Sequence, residues 1–236
     1  MSDRRAPKLK AFSVHIFTAL GAVCALMALR LAIEQRIEAA VAWLGVALIV
    51  DGVDGYFARR FEVKTVLPQV SGEVLDLCVD YVTYVFVPAL ILLLAGRIEG
   101  NWGLVLAGLI CVTSLYHFAD MGSKTDDHSF VGFPAIWNIV AFYIFALELQ
   151  GWAASGLILL CAMLTFVPMK WVHPMRVRAW RGITLAATGA WAVAAVAILW
   201  AGFPAGPLSG TVIVLVAIYG IGLSLASGTV RRGSGG

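Results

Sequence analysis

Residues 39–61 read AAVAWLGVALIVDGVDGYFARRF, an apolar run that leads directly into two aspartates. A run of this kind is typical of a membrane-spanning helix. Carboxylates are costly in hydrocarbon and usually mark functional sites there. We therefore expect Asp51 and Asp54, at the end of this helix, to belong to a site rather than to packing.

The composition of the whole chain indicates the same class of protein. Hydrophobic residues make up 61% of the 236 residues and charged residues 13%, with a mean hydropathy of +0.89. A soluble domain carries about 25% charged residues. We predict an all-α polytopic membrane protein that forms a single membrane-embedded domain over residues 1–236, with its signature at 51–80. About eight transmembrane helices fit the chain, near 12–33, 39–60, 72–95, 102–121, 133–149, 152–171, 182–201 and 208–227.

The distribution of cations between the loops predicts the orientation. If the N-terminus is cytoplasmic, fourteen Lys and Arg residues fall on the cytoplasmic side and three fall outside, at Arg30, Arg36 and Arg97. Both termini and the end of the second span are then cytoplasmic, so we expect the active site to face the cytoplasm. Topology and attraction to anionic lipid headgroups account for the net charge of +3. We predict the lipid bilayer as a partner and no nucleic acid.

A second carboxylate pair follows the first after a loop. Asp76 and Asp80 are four residues apart and Asp51 and Asp54 three apart, so each pair shares one face of its helix. Four converging carboxylates repel one another unless cations neutralise them. Oxygen ligands suit Mg²⁺ or Mn²⁺, and a pair of such ions assists displacement at phosphorus. The residues alone leave two alternatives open, an ion-coupled transporter with intramembrane acids and carboxylates paired with local arginines.

The ordered pattern of these acids resembles the signature of the CDP-alcohol phosphatidyltransferase family. It reads Asp51-x-x-Asp54-Gly55-x-x-Ala58-Arg59 … Gly72-x-x-x-Asp76-x-x-x-Asp80. The common spacer between the arginine and the next glycine is eight residues, whereas residues 60–71 make twelve here. Each half of the signature keeps its internal spacing, so the departure falls in the loop between them.

The resemblance implies a reaction, cofactors and roles for the residues. An alcohol hydroxyl attacks the phosphorus of a CDP-linked donor, and CMP leaves. Two divalent cations, Mn²⁺ or Mg²⁺, are implied, with Asp80 contributing to the second and acting as general base. The other implied metal ligands are Asp51, Asp54 and Asp76. The implied CDP-diacylglycerol site consists of Gly55, Ala58, Arg59 and Gly72. Members of the family are commonly homodimers.

Three features resemble the members of the family that use choline. These are the sequence DGVDG, the long spacer, and FVGFPAIWN at residues 130–138. We expect CDP-diacylglycerol and choline as substrates, in a bacterial inner membrane. Aromatic faces suit a quaternary nitrogen, and the candidate choline site is Tyr84, Tyr116, Trp137 and Asn138. Serine or another alcohol is the alternative, for which Lys124 or the cluster at 176–181 supplies cations.

Overall fold

The structure is a computed structural model that describes residues 5–120, 122, 130–171 and 180–226. It is almost wholly helical over this part of the chain. The helices are α1 (Arg5–Ile33), α2 (Ile37–Arg60), α3 (Val63–Val66), α4 (Gly72–Asp80), α5 (Val87–Leu94), α6 (Gly100–Ala119), α7 (Trp137–Ala146), α8 (Gly151–Leu164), α9 (Arg181–Ala201) and α10 (Pro207–Ala226). A π-helical segment, Tyr81–Phe86, connects α4 to α5, and two short strands are β1 (Phe130–Val131) and β2 (Lys170–Trp171). The chain divides into two compact units, 1–95 and 96–236.

Five of the described helices are long and apolar enough to cross a membrane, which fits an integral, polytopic membrane protein. They are Pro7–Ile33, Gly72–Leu94, Gly100–Ala119, Arg181–Ala201 and Pro207–Ala226. Helix α2 is not among them; it has 24 residues, with two aspartates and two arginines in its last ten.

The fifth and sixth predicted spans correspond to shorter helices than expected. Helix α7 has 10 residues and α8 has 14. At 1.5 Å per residue they are about 15 and 21 Å long, less than the hydrocarbon thickness of about 30 Å. The all-α class is confirmed, and the count of eight spans stays a prediction.

In the first unit, α1 packs along α2 and also contacts α4 and α5. A tight turn joins α1 to α2, closed by a hydrogen bond of 2.9 Å from the Arg36 amide to the Leu31 carbonyl. Small residues allow close approach between the helices. A Cβ atom on Gly21 of α1 would overlap the Val79 side chain of α4. Helix α1 is therefore positioned against both helices that carry the aspartates.

The predicted third span is one continuous helix with a widened turn in its middle. Ser71 caps its start by accepting a hydrogen bond of 3.3 Å from the Val74 amide. Pro88 lacks an N–H, and its ring would clash with the carbonyl four residues earlier in a regular α-helix. The carbonyl four residues before Pro88 belongs to Tyr84, within the π-helical segment Tyr81–Phe86. The wider turn of this segment relieves the clash.

In the second unit, two short strands bring together the ends of the fifth and sixth predicted spans. Strand β1 pairs antiparallel with β2, Phe130 opposite Trp171. Gly132 has a φ of +83°, and a Cβ there would overlap the backbone oxygen of Thr165. Helix α7 consequently begins at Trp137 and not near residue 133, and α8 ends at Leu164 before this strand pair. The hydropathy pattern did not predict the strands.

Candidate active site

Three of the four predicted aspartates lie together in the first unit. Asp51 comes from α2, and Asp76 and Asp80 come from α4; one carboxylate oxygen of each lies within 4.8 Å of the others. All three side chains are half-buried. The four-residue spacing places Asp76 and Asp80 on one face of α4, and Asp51 of α2 lies beside that face. We call these three residues the aspartate cluster.

The aspartate cluster has the donor set of a hard divalent cation. It offers carboxylate oxygens from three residues, with neither sulfur nor nitrogen in the group. Three like charges this close are strongly unfavourable together unless a cation offsets them. The three residues could therefore hold Mg²⁺ or Mn²⁺.

Asp54, the fourth predicted ligand, is held by the first helix. It is buried, with 6% of its surface exposed, and accepts a hydrogen bond of 2.6 Å from the Thr18 hydroxyl. Asp54 is close enough to Asp51 for their charges to interact. It is not one of the three residues whose oxygens converge, and its role as a metal ligand stays a prediction.

Tyr84, predicted for the choline site, lies beside the aspartate cluster. Its hydroxyl donates a hydrogen bond of 2.6 Å to Oδ2 of Asp51. The negative charges of Asp51, Asp80 and Asp76 all act on the Tyr84 side chain, which is 7% exposed. Tyr84 thus orients a carboxylate of the cluster, which the sequence analysis did not anticipate.

The predicted nucleotide-site residues lie on the two helices that carry the aspartates, in the last turns of α2 and at the start of α4. A Cβ on Gly55 would be 3.4 Å from Nη1 of Arg59, so the guanidinium lies over Gly55. The Arg59 side chain is exposed. Ala58 packs against a small apolar cluster of α1 and α3 residues. A Cβ on Gly72 would be 3.2 Å from Cε1 of His15.

Helix α1 supplies two polar side chains that the sequence analysis missed. His15 and Thr18 are three residues apart, share one face of α1, and are both buried. Thr18 reaches Asp54 and His15 reaches Gly72, one in each half of the signature. The available signal was two polar residues at helical spacing within an apolar span.

The other choline-site candidates belong to the second unit. Tyr116 is 51% exposed, and its ring centroid lies 5.3 Å from that of Phe166. Trp137 is fully buried and donates a hydrogen bond of 2.8 Å from its indole nitrogen to Oγ of Ser114. Asn138 is also buried, and its side-chain oxygen accepts from the amide of the next residue. These three remain predicted choline residues, while Lys124 and residues 176–179 lie outside the described residues.

Comparison with known proteins identifies the family. A sequence model described as CDP-alcohol phosphatidyltransferase matches residues 14–169, more than half of the chain. The match contains the whole signature and the aspartate cluster. The chain belongs to the CDP-alcohol phosphatidyltransferase family and is a phosphatidyltransferase. The resemblance seen in the sequence is confirmed, which favours the enzyme over a transporter.

Several similar proteins carry one name, phosphatidylcholine synthase. The protein of that name from Bradyrhizobium diazoefficiens is 45% identical over 218 residues, covering 92% of this chain and 81% of its own. That from Rhizobium meliloti is 42% identical over 226 residues, covering 94% of each chain. That from Pseudomonas aeruginosa is 43% identical over 186 residues, covering 79% of this chain and 78% of its own.

Proposed function

We propose that this protein transfers the phosphatidyl group of CDP-diacylglycerol to choline, producing phosphatidylcholine and CMP. The observation that carries the proposal is the convergence of Asp51, Asp76 and Asp80 within the family's signature. The acceptor is inferred from relatives named phosphatidylcholine synthase that are 45% and 42% identical to this chain.

The oxygen-only donor set fits the divalent cations that the family uses. Asp51, Asp76 and Asp80 would hold them, with Asp54 adjacent on α2. When bound, two such ions neutralise the pyrophosphate and stabilise the charge that develops during displacement at phosphorus. Thr18 and Tyr84 keep two of the carboxylates oriented through their hydroxyl groups.

The chain's own side chains then bind the donor and move a proton. Asp80 accepts the proton of the choline hydroxyl. The choline oxygen forms a bond to the phosphorus of the phosphatidyl group, and the bond from that phosphorus to the oxygen of CMP breaks. The electron pair of that bond leaves with CMP. Arg59 offsets phosphate charge, and Gly55, Ala58 and Gly72 are the small residues that we propose to line the donor site.

We propose that aromatic side chains bind the choline substrate. The quaternary nitrogen accepts no hydrogen bond and is stabilised by aromatic faces. Tyr84 belongs to the same unit as the aspartate cluster. Tyr116, Trp137 and Asn138 are further residues that we propose to bind choline.

The topology that we propose follows from the loop cations. A single membrane domain of eight spans, with both termini and the active site in the cytoplasm, fits fourteen cations on one side and three on the other. For this arrangement α2, α7 and α8 must also cross the bilayer. We also propose that the protein lies in a bacterial inner membrane, which the bacterial relatives support, and that it forms a homodimer.

The acceptor is tested with purified protein, CDP-diacylglycerol and Mn²⁺, adding choline, serine, inositol or glycerol 3-phosphate separately. We expect CMP release with choline and none above background with the others. Asp80→Asn should abolish turnover yet retain CMP binding. Release only with another alcohol would overturn the choline assignment, and full activity of Asp80→Asn would remove Asp80 as the base.

A further inference from the structure

One polar atom in the first unit is buried without a hydrogen-bond partner. His15, on α1, is 6% exposed, and its Nε2 contacts no donor or acceptor within the described part of the chain. A buried polar group without a partner destabilises a fold by about 1–3 kcal/mol. Such groups are therefore rare in folded proteins, and each calls for a specific explanation, such as a bond to a bound molecule.

The surroundings of His15 place it between the two halves of the signature. Its Cε1 atom, bonded to Nε2, lies 3.2 Å from where a Cβ of Gly72 would be. Gly72 begins α4, and Asp76 of the aspartate cluster follows one turn later. One turn along α1, Thr18 donates to Asp54 on α2.

Gly72 makes this position of the imidazole possible. A side chain at 72 would press on the ring at 3.2 Å, tighter than an ordinary van der Waals contact of 3.4 Å or more. A glycine at the first residue of α4 therefore leaves space that the His15 ring uses. The Cε1–Nδ1 edge of the ring faces Gly72, with Nδ1 3.7 Å from the same Cβ position, and Nε2 adjoins this edge through Cε1.

We propose that Nε2 of His15 donates a hydrogen bond to a ribose or phosphate oxygen of the nucleotide half of CDP-diacylglycerol. This inference rests on the proposed function, because it takes CDP-diacylglycerol as the donor. The nucleotide offers many acceptor oxygens, whereas the hydrocarbon tails offer none and the diacylglycerol half has only its ester oxygens. Choline has a single oxygen, which the reaction consumes, and its positive charge is a poor neighbour for an N–H donor. The nucleotide is accordingly the substrate part that matches the unpartnered atom.

The test is CMP binding to the detergent-solubilised full chain with Mn²⁺, measured by isothermal titration calorimetry. His15→Phe keeps the ring volume and removes the donor, so CMP should bind about tenfold more weakly, the effect of one hydrogen bond to a charged group. His15→Asn places its amide near the Nδ1 position and should lose the bond as well. His15→Gln reaches the Nε2 position and should keep a stronger affinity than either.

His117→Phe is the matched control, since His117 is another buried histidine, in the second unit. Its CMP affinity should equal that of the wild type. In turnover assays His15→Phe should raise the KM for CDP-diacylglycerol and leave the KM for choline unchanged. If His15→Phe does not fold, the difference between His15→Asn and His15→Gln carries the test.

Wild-type CMP affinity in a folded His15→Phe or His15→Asn variant would overturn the proposal. The result is separate from the choline assignment, because CMP binding needs no alcohol. A wild-type protein that binds CMP but releases none with choline would contradict the proposed function and leave the role of His15 standing.

Discussion

Replacing Tyr84 by phenylalanine removes one hydroxyl from beside the aspartate cluster and leaves the aromatic ring in place. In the structure this hydroxyl donates to Oδ2 of Asp51 over 2.6 Å. We expect Tyr84→Phe to weaken metal binding, since a ligating carboxylate that loses its hydrogen-bonded partner is less well oriented. The ring face, the part of Tyr84 that can contact a quaternary nitrogen, remains.

The size of the effect follows from the length and charge of the bond. A distance of 2.6 Å is within the range of short, charge-assisted O–H···O⁻ bonds. Hydrogen bonds to charged groups contribute about 1.5–3 kcal/mol. Loss of an outer partner of a ligand typically lowers metal affinity by about 10–100-fold, or about 1.4–2.7 kcal/mol. The two ranges agree, and we expect at least a tenfold higher Mn²⁺ concentration for half-maximal activity.

The assay is CMP release at saturating CDP-diacylglycerol and choline over a Mn²⁺ titration. Tyr84→Phe should recover most of its rate at high Mn²⁺, and its KM for choline should stay near that of the wild type. Tyr84→Leu, which also removes the ring, should raise the choline KM if Tyr84 contacts choline. An unchanged Mn²⁺ requirement in Tyr84→Phe would show that the Tyr84 hydroxyl does not support metal binding by Asp51.

Two further variants probe how α1 supports the site. Thr18→Val leaves the buried Asp54 without its 2.6 Å hydrogen-bond donor. We therefore expect the free energy of unfolding to fall by about 1–3 kcal/mol, and Thr18→Ser to be near the wild type. A valine variant as stable as the wild type would contradict the role of this bond. Gly21→Ala places a methyl group into the Val79 side chain, so about 1–3 kcal/mol should be lost. Gly45→Ala, in open space on α2, should not destabilise the protein, and an equally stable Gly21→Ala would show that α1 and α4 are not packed this closely.

The sequence predicted the long helices well because hydropathy depends on neighbouring residues alone. The turn at residues 34–36, the start of α4 at Gly72 and four of the five long apolar helices fall close to the predicted limits. Helix α1 instead begins at Arg5, within the basic N-terminal stretch, and not near residue 12. The start of α7 and the end of α8 differ from the predicted positions, because both adjoin the pairing between β1 and β2, two strands that are forty residues apart in the chain. The π-helical segment was missed although Pro88 gave a local signal for it.

The site shows the same division between local and long-range information. Spacing within α4 predicted that Asp76 and Asp80 share a face, and the antiparallel path of α2 predicted that Asp51 joins them. The partners of the carboxylates come from other helices, as Thr18 does for Asp54. Neither the helical spacing nor the signature predicts such a contact, because it depends on how α1 packs against α2 and α4.

The most direct test of the metal-dependent centre is choline-dependent CMP release from protein treated with EDTA, before and after Mn²⁺ is restored. The matched variants are Asp76→Asn, within the aspartate cluster, and Glu73→Gln, an exposed acid in the first turn of α4. We predict that chelation abolishes release, that Mn²⁺ restores it in the wild type and Glu73→Gln, and that Asp76→Asn stays inactive. Release that persists after chelation, or at the wild-type rate in Asp76→Asn, would contradict metal-dependent catalysis at the aspartate cluster.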